Sequence, residues 1–412
     1  MTAVALIGGP ERSRNVRRPL SRGKEKGLRE EGALKFGISE IGLGGEDGVM
    51  IQGAKLWRER LPFWKERASF LLLSPRLKAS LRDRILQADF PDLEEHVWVA
   101  TSGTSGAMKV VALSRAALEA SARAVNRHLA VSASDCWLNP LPTFHVGGLG
   151  IKVRAALAGA RSIALATWNA ADFVRRANEA GATLSSLVPT QVYDLVAVNL
   201  PAPPSLRAVV VGGGACDSVL QAKAIALGWP LLPSYGLTEA ASQVATAQFG
   251  ADLAHRLPLL DHVEARVGDN GVLELCGPSL LTGWMLFDAD GNAQWADPKF
   301  GSWYRTGDRV ELVGQELRVL GRVDDLVKIR GELVDIATLG RELQSRVPHG
   351  AVVLRCVADD RNGLAIQVVA ENEAALAEAR CVHAQVFPSF ARPQEFVVGP
   401  IERTALGKLV RL

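Results

Sequence analysis

Between residues 97 and 234 the chain alternates short runs of β-branched and other apolar residues with longer stretches whose apolar positions recur at helical spacing. The runs VWVAT (97–101), SIALAT (162–167), TLSSLV (183–188), RAVVV (207–211) and PLLPS (230–234) read as buried strands. The stretches 114–130, 149–158, 170–180, 190–199 and 216–227 read as helices. A strand that is apolar on both faces needs cover on both faces, and intervening helices supply it. The pattern therefore predicts an α/β fold with layered, mixed sheets, at least partly parallel. After Glu239 the texture changes: VEARVGDNGVLELCG and WYRTGDRVELVGQELRVLGR carry Gly and Asp turn signals at short intervals, as antiparallel strands do. From residue 325 onward the pattern is strand, helix (336–346), two strands (351–358 and 364–370), helix (371–382), short strand and loop tail. This reading gives three parts: a basic arm (1–32) expected to be solvated or disordered, a large α/β domain (33–323) and a small α+β lid domain (324–412).

Composition narrows the class. Of 412 residues, 48% are hydrophobic and 22% charged, the balance of an ordinary globular protein. The net charge of +3 gives no electrostatic footprint for nucleic acid over the whole chain. No apolar run approaches the ~18 residues of a membrane span, and the first residues lack a secretory leader. The five cysteines contain no C-x-x-C pair and no structural-zinc spacing. Buried free thiols in a reducing, cytoplasmic setting are the expectation.

Five short strings carry candidate chemistry. Thr101-Ser102-Gly103-Thr104-Ser105-Gly106-Ala107-Met108-Lys109 lies between a predicted strand and a predicted helix. It offers hydroxyls, glycine-freed backbone N–H groups and one ammonium, which suit a polyphosphate, although it is not a Walker A loop. Tyr235-Gly236-Leu237-Thr238-Glu239 follows a buried strand, where α/β sheets place ligands. Tyr304-Arg305-Thr306-Gly307-Asp308 ends on a carboxylate able to accept ribose hydroxyls, Gly321-Arg322-Val323-Asp324-Asp325 precedes the last domain, and Arg403-Thr404-Ala405-Leu406-Gly407-Lys408 lies near the C-terminus. Taken singly, each has a plain alternative: a flexible turn, a core aromatic, a turn-forming Asp, a solvated loop. A glycine string at 42–48 fits no dinucleotide fingerprint, because it follows no strand and opens no helix.

Together and in this order, from about residue 97 to 411, the strings resemble the acyl-adenylate-forming superfamily of acyl-CoA ligases, luciferases and peptide-synthetase adenylation domains. The resemblance implies that residues 101–109 close over the ATP β- and γ-phosphates, with Thr101, Ser102, Gly103, Thr104, Ser105, Gly106 and Lys109 as contacts. It implies Tyr235 and Gly236 beside adenine, Gly213 in the nucleotide site, Thr238 on the α-phosphate and Glu239 as the magnesium carboxylate. Asp308 resembles the ribose ligand with Arg322 near it, Asp324 the hinge, and Lys408 the mobile lysine bridging acyl carboxylate and α-phosphate. ATP, magnesium and CoA are the implied cofactors and co-substrate.

A second layer resembles the o-succinylbenzoate–CoA ligase family of menaquinone synthesis. Pro140–Leu149 (PLPTFHVGGL) resembles that family's LPLFHVSGL-type string, Leu187–Gln191 (LVPTQ) its SLVPTQ string, and Gly236–Gln243 (GLTEAASQ) its GMTETCSQ. Arg154 falls where these ligases commonly hold an arginine. Met108 replaces the usual loop proline, Val110 a glycine and Glu402 the proline before Arg403, and the phosphate loop begins early, so the N-terminal subdomain looks trimmed.

The chemistry expected from the resemblance is charge neutralisation, because an acyl carboxylate and a triphosphate repel. An aromatic carboxylate in an apolar pocket needs a cation or donors. Arg154, Thr190 and the backbone of Gly212 and Gly214 are the candidates for it. Arg154 could equally be a surface residue of its helix. His145 is expected as a pocket wall or gate, or else as a packed core histidine. Rotation about Asp324 would bring residues 328–332 to the adenylate for CoA transfer. The expected partners are a small carboxylic acid, ATP and CoA, with neither nucleic acid nor membrane, in a monomer or homodimer. The alternative is an acyl-AMP ligase for another aryl or fatty acid, with CoA or a carrier protein as acceptor. A non-catalytic nucleotide-binding protein on an inherited fold is the remaining reading.

Overall fold

The structure is a computed structural model that describes residues 3–6 and 69–401, apart from 76, 103–107, 215, 217, 251–255, 289–291, 330–331 and 360–362. The glycine string at 42–48, residues 7–32 of the basic arm, most of the phosphate loop and the segment holding Lys408 lie outside the described residues. Residues Ala3–Leu6 of the arm form a strand parallel to Phe70–Leu73.

The apolar runs assemble as their pattern requires. A six-stranded sheet has the spatial order Ser242–Thr246, Leu231–Leu237, Ala208–Val211, Leu184–Leu187, Cys136–Asn139, Arg161–Ala164. All its pairings are parallel except that of the edge strand Ser242–Thr246. The AVVV run at its centre is wholly buried. Helices Arg115–His128, Val146–Ala158, Ala170–Ala180, Pro189–Ala197 and Ser218–Ala226 supply the crossovers and flanking cover. Two of them start on side-chain caps: Ser114 accepts from the Ala117 amide and Asn169 from that of Asp172.

Three expectations need correction. The loop at 103–107 joins two antiparallel strands, His96–Ser102 and Met108–Ser114, and the helix begins only after the second. It is thus the tip of a hairpin, since the valine-rich MKVVALS run prefers a buried pleated surface to a helix. The run at 162–167 is a half-exposed edge strand, Arg161–Ala164, not a buried one. Among the cysteines only Cys136 is fully buried, and Cys381 is exposed, although all five are free thiols. One further central strand, Cys136–Asn139, is fully buried and had no counterpart in the sequence reading.

The hairpin belongs to a second sheet that runs Ala3–Leu6, Phe70–Leu73, His96–Ser102, Met108–Ser114, Gly283–Phe287, Ala293–Ala296. A third, antiparallel sheet contains Leu257–Pro258, Glu316–Arg322, Trp303–Val313, Val272–Cys276 and Glu264–Val267, as the turn signals predict. One apolar cluster draws on all three sheets: Val99 and Val111, Val244 and Ala245, Leu273 and Leu317, with Leu149 and Val153 from a helix. The candidate site forms along this junction.

The last segment follows its predicted order closely: hairpin Leu326–Ile329 and Glu332–Asp335, helix Ile336–Ser345, strands Val352–Asp359 and Gly363–Ala370, helix Glu373–Val386, strand Glu395–Val398. It has its own core around Leu343, Val352, Ile366, Val368 and Phe387. No helix among the described residues is long and apolar enough to cross a membrane.

Candidate active site

The YGLTE string runs off the end of Leu231–Leu237 into a single 3-10 turn, Thr238–Ala240, and the chain then reverses into Ser242–Thr246. The reversal is tight. A Cβ on Gly236 would sit 1.9 Å from the Ser242 carbonyl oxygen, so only glycine fits. Ala241 (φ 53°) and Ser242 (φ 113°) both take positive φ, a strained conformation for such residues that recurs at functional loops.

Tyr235 and Asp308 come together from two sheets. The Tyr235 hydroxyl donates to Asp308 Oδ2 at 2.6 Å, and Arg322 Nη1 lies 3.1 Å from Oδ1. Register fixes the second contact, because Asp308 and Arg322 face each other across adjacent strands. Gly307 allows the guanidinium to lie there: a Cβ would be 2.4 Å from Arg322 Nη2. A carboxylate has ~four lone-pair sites, so two protein donors leave room for two more. Desolvation first, and then the Asp308 charge, push the Tyr235 phenol well above its usual range, so it stays a donor.

Glu239 sits behind this group. Burial raises its carboxyl above the ordinary range, while its own backbone N–H, the Lys109 charge and a hydrogen bond from Tyr304 pull the other way. Tyr304 is buried, and its phenol is raised by desolvation and by Glu239. The Lys109 ammonium lies 4.1 Å above the Trp284 ring, and Trp284 meets Tyr304 edge-on with centroids 6.0 Å apart. Lys109 pairs with Thr101 across the hairpin.

The third group is apolar with isolated polar atoms. Asn139, at the end of the unforeseen strand, donates to the Gly148 carbonyl at 3.0 Å and accepts from the Leu141 amide at 3.0 Å, holding the PLPTFHVGGL loop against the sheet. Arg154 on the following helix is only 2% exposed, and no carboxylate among the described residues pairs with it. Its Nη2 donates to Ser242 Oγ at 3.2 Å, its Nε has no acceptor, and its guanidinium lies 5.9 Å from the Trp137 ring centroid. Burial lowers its pKa to about 9. Gly150 makes the space, since a Cβ there would come 3.1 Å from Arg154 Nη2. The surface reading of Arg154 is therefore incorrect.

His145 begins that helix. Its Nε2 is buried without a partner, and desolvation lowers the ring to about 4, so it is neutral. His262 is also buried and lowered to about 4 by desolvation, with the Arg154 charge contributing. Thr190 is half-buried in the first turn of Pro189–Ala197. The Gly212 amide donates to the Leu187 carbonyl at 3.1 Å, so it is committed to the sheet, whereas Gly213 (φ +79°) and Gly214 are exposed. Asp324 is in a 3-10 turn, Val323–Asp325.

The structure thus brings Tyr235, Glu239, Asp308, Arg322 and Lys109 into one group of interacting side chains, with Ser242, just beyond Glu239 in the chain, bonded to Arg154. Tyr304, Trp284, Ser242 and His262 join them and were missed. Tyr304 heads the YRTGD string, so its signal was present, but the string was read for its carboxylate. Gly103, Thr104, Ser105, Gly106 and Lys408 lie outside the described residues.

The chain is similar to known proteins in sequence and in fold. Residues 91–283 match the family model described as AMP-binding enzyme. The chain is 27% identical over 376 residues to the 2-succinylbenzoate–CoA ligase of Enterococcus faecalis, covering 84% of this chain and 75% of that protein. It is 28% identical over 316 residues to the Bacillus cereus 2-succinylbenzoate–CoA ligase, covering 72% and 64%. Its fold is that of the Bacillus subtilis o-succinylbenzoate CoA synthetase in complex with the acyl-adenylate OSB-AMP (TM-score 0.71, 21% identity, 84% of this chain and 82% of that one). The same enzyme with ATP and magnesium superposes with a TM-score of 0.70. Over residues 91–283 the chain is similar to the AMP-binding enzyme family, and over most of its length to the 2-succinylbenzoate–CoA ligases.

Proposed function

We propose that the protein is an AMP-forming acid–thiol ligase that adenylates o-succinylbenzoate with ATP. It then transfers the acyl group to CoA, giving o-succinylbenzoyl-CoA, AMP and pyrophosphate, as a step of menaquinone biosynthesis. The observation that carries the substrate is Arg154: a buried guanidinium, with no carboxylate partner among the described residues, tied to the loop that presents Glu239. A buried unpaired cation is expensive, and a substrate with a second carboxylate removes that cost on binding. The relatives named as 2-succinylbenzoate–CoA ligases support the same acid.

In this reading Asp308, pre-oriented by Tyr235 and Arg322, accepts the ribose hydroxyls, and Lys109 and the hairpin loop meet the phosphates. Magnesium fits as a partner of the nucleotide. Among the described residues no three His, Cys, Asp or Glu side chains gather to hold a metal, and a hard cation bound mainly by phosphate oxygens needs only one carboxylate. Glu239 would be that ligand, and the ion would neutralise phosphate charge. Lys408 would deliver the second positive charge, at the oxygen shared by the acid and the α-phosphate. Hydrogen-bonding Asp308 and Tyr235 orient the nucleotide; neutral His145 walls the acid pocket and exchanges no proton. The free thiols fit a cytoplasmic setting.

The test is the mass of the product formed from o-succinylbenzoate, ATP and CoA, with Arg154→Leu beside the wild type. A CoA thioester of the dicarboxylate, with KM for the acid raised ~100-fold or more in Arg154→Leu, is the expected outcome, in the range for a charged contact left unmade. Pyrophosphate release without thioester, or an unchanged KM, would count against the assignment.

A further inference from the structure

We propose that Trp284 is a positioning residue that keeps the Lys109 ammonium off the Glu239 carboxylate, so that the carboxylate remains open to the divalent cation arriving with the nucleotide. The inference rests on the nucleotide reading above. Lys109 is a cation whose charge acts on Glu239, and among the described residues its ammonium is seated away from that carboxylate. The ammonium instead rests on the indole face, 4.1 Å from its centroid. Strand register produces this seat. Trp284 faces Val111 across the pair Gly283–Phe287 and Met108–Ser114, and Lys109, two residues from Val111, shares its face, which makes it the diagonal neighbour of Trp284.

The ring is held from the other side by the edge-on contact with Tyr304, whose hydroxyl donates to Glu239. Its own N–H is buried without an acceptor. An indole whose polar handle goes unused is held there for its face, and tryptophan offers the strongest cation–π face of the aromatic side chains. The carboxylate is thereby given a neutral donor, Tyr304, which a metal ligand tolerates, in place of a contact cation, which competes with the metal. The ammonium stays within reach of the phosphates, because a cation–π seat is worth only ~0.5–2 kcal/mol and is easily left.

The experiment measures calorimetric affinity for ATP with and without magnesium, and takes the ratio of the two dissociation constants. In the wild type magnesium tightens binding. In Trp284→Leu the ammonium falls onto Glu239, and the magnesium gain should shrink about ten-fold, the scale of one such charge contact. Trp284→Phe, which retains a face, should keep most of the gain. Trp284→Leu combined with Lys109→Ala should restore it, since no ammonium is left to occupy the carboxylate. A ratio unchanged in Trp284→Leu, or reduced equally with and without Lys109, overturns the assignment and makes Trp284 a packing residue. Absence of ATP binding by the wild type takes down the nucleotide reading and this assignment together.

Discussion

At the scale of single residues the molecule keeps polar groups where a stable core would not. Arg154 has one hydrogen bond from its guanidinium and an orphaned Nε in a buried setting. Replacing such a charge by an apolar side chain of similar length removes a desolvation cost, and in comparable sites this stabilises by ~1–4 kcal/mol. Arg154→Met should therefore raise the urea midpoint of the protein while abolishing tight binding of the dicarboxylate. A variant that loses stability and substrate binding together would show that Arg154 is a structural residue. The family resemblance marked this position as a candidate, but not its burial. Burial depends on Gly150 and Ser242, which are 4 residues away along the helix and 88 residues away in the chain. For the same reason Trp284 was invisible as a site residue: its role comes from cross-strand neighbours, and pairing register is a property of the folded sheet.

At the scale of elements, legibility followed the strength of the periodic signal. The small domain's helices and strands came out in order because each is a long, separate amphipathic segment with its own core. Cys136–Asn139 was missed because four residues between a polar SASD segment and a proline carry no period. Tertiary contacts secure that strand instead. Asp135, just before it, accepts from Arg207 Nε at 3.0 Å, Arg207 Nη2 at 2.9 Å, the Ser132 amide at 2.9 Å and Thr183 Oγ1 at 2.7 Å. Arg207 also reaches the Leu129 and Ala130 carbonyls, tying a helix end to two strands. Desolvation by itself would raise the Asp135 carboxyl, but these donors together win and lower it from 3.8 to about 2. Because the folded value lies below the unfolded one, the stabilisation is complete above pH ~4 and is lost as pH falls through about 2. It amounts to roughly 2 kcal/mol. Asp135→Asn should lower stability at neutral pH by about that much, and urea denaturation between pH 5 and pH ~2 should show a shallower acid loss than the wild type. Equal acid slopes in the two proteins would mean that the clamp does not carry its charge into the stability.

At the scale of the whole molecule, three sheets meet at one cluster, and the candidate groups lie along the seam. The chain order of YGLTE, YRTGD and GRVDD therefore anticipated their neighbourhood without any of the geometry. The last segment joins the large unit close to Asp308. Asp335 caps helix Ile336–Ser345 by accepting from the Thr338 amide at 2.9 Å, and Arg309 Nη1 lies 3.7 Å from its other oxygen. A Cβ on Gly321 would come within 2.8 Å of that same Asp335 oxygen, so the joint is close-packed on one side, and the Arg309–Asp335 ion pair crosses it on the other. Under the proposed function the small domain turns here, and breaking this partly exposed pair would cost at most ~1 kcal/mol. The proposed ligase needs such a turn, since the positive charge that joins acid to α-phosphate obstructs nothing only if it withdraws before the thiol arrives. Division of labour between the half-reactions is the consequence. Lys408→Ala should slow adenylate formation by ~100-fold or more, as loss of one transition-state charge contact does. It should leave thioester formation from supplied o-succinylbenzoyl-adenylate and CoA within about two-fold of wild type, because the second step no longer needs that charge. Rapid-quench measurement of the two steps separately decides the matter, and equal damage to both would place Lys408 outside the role assigned to it.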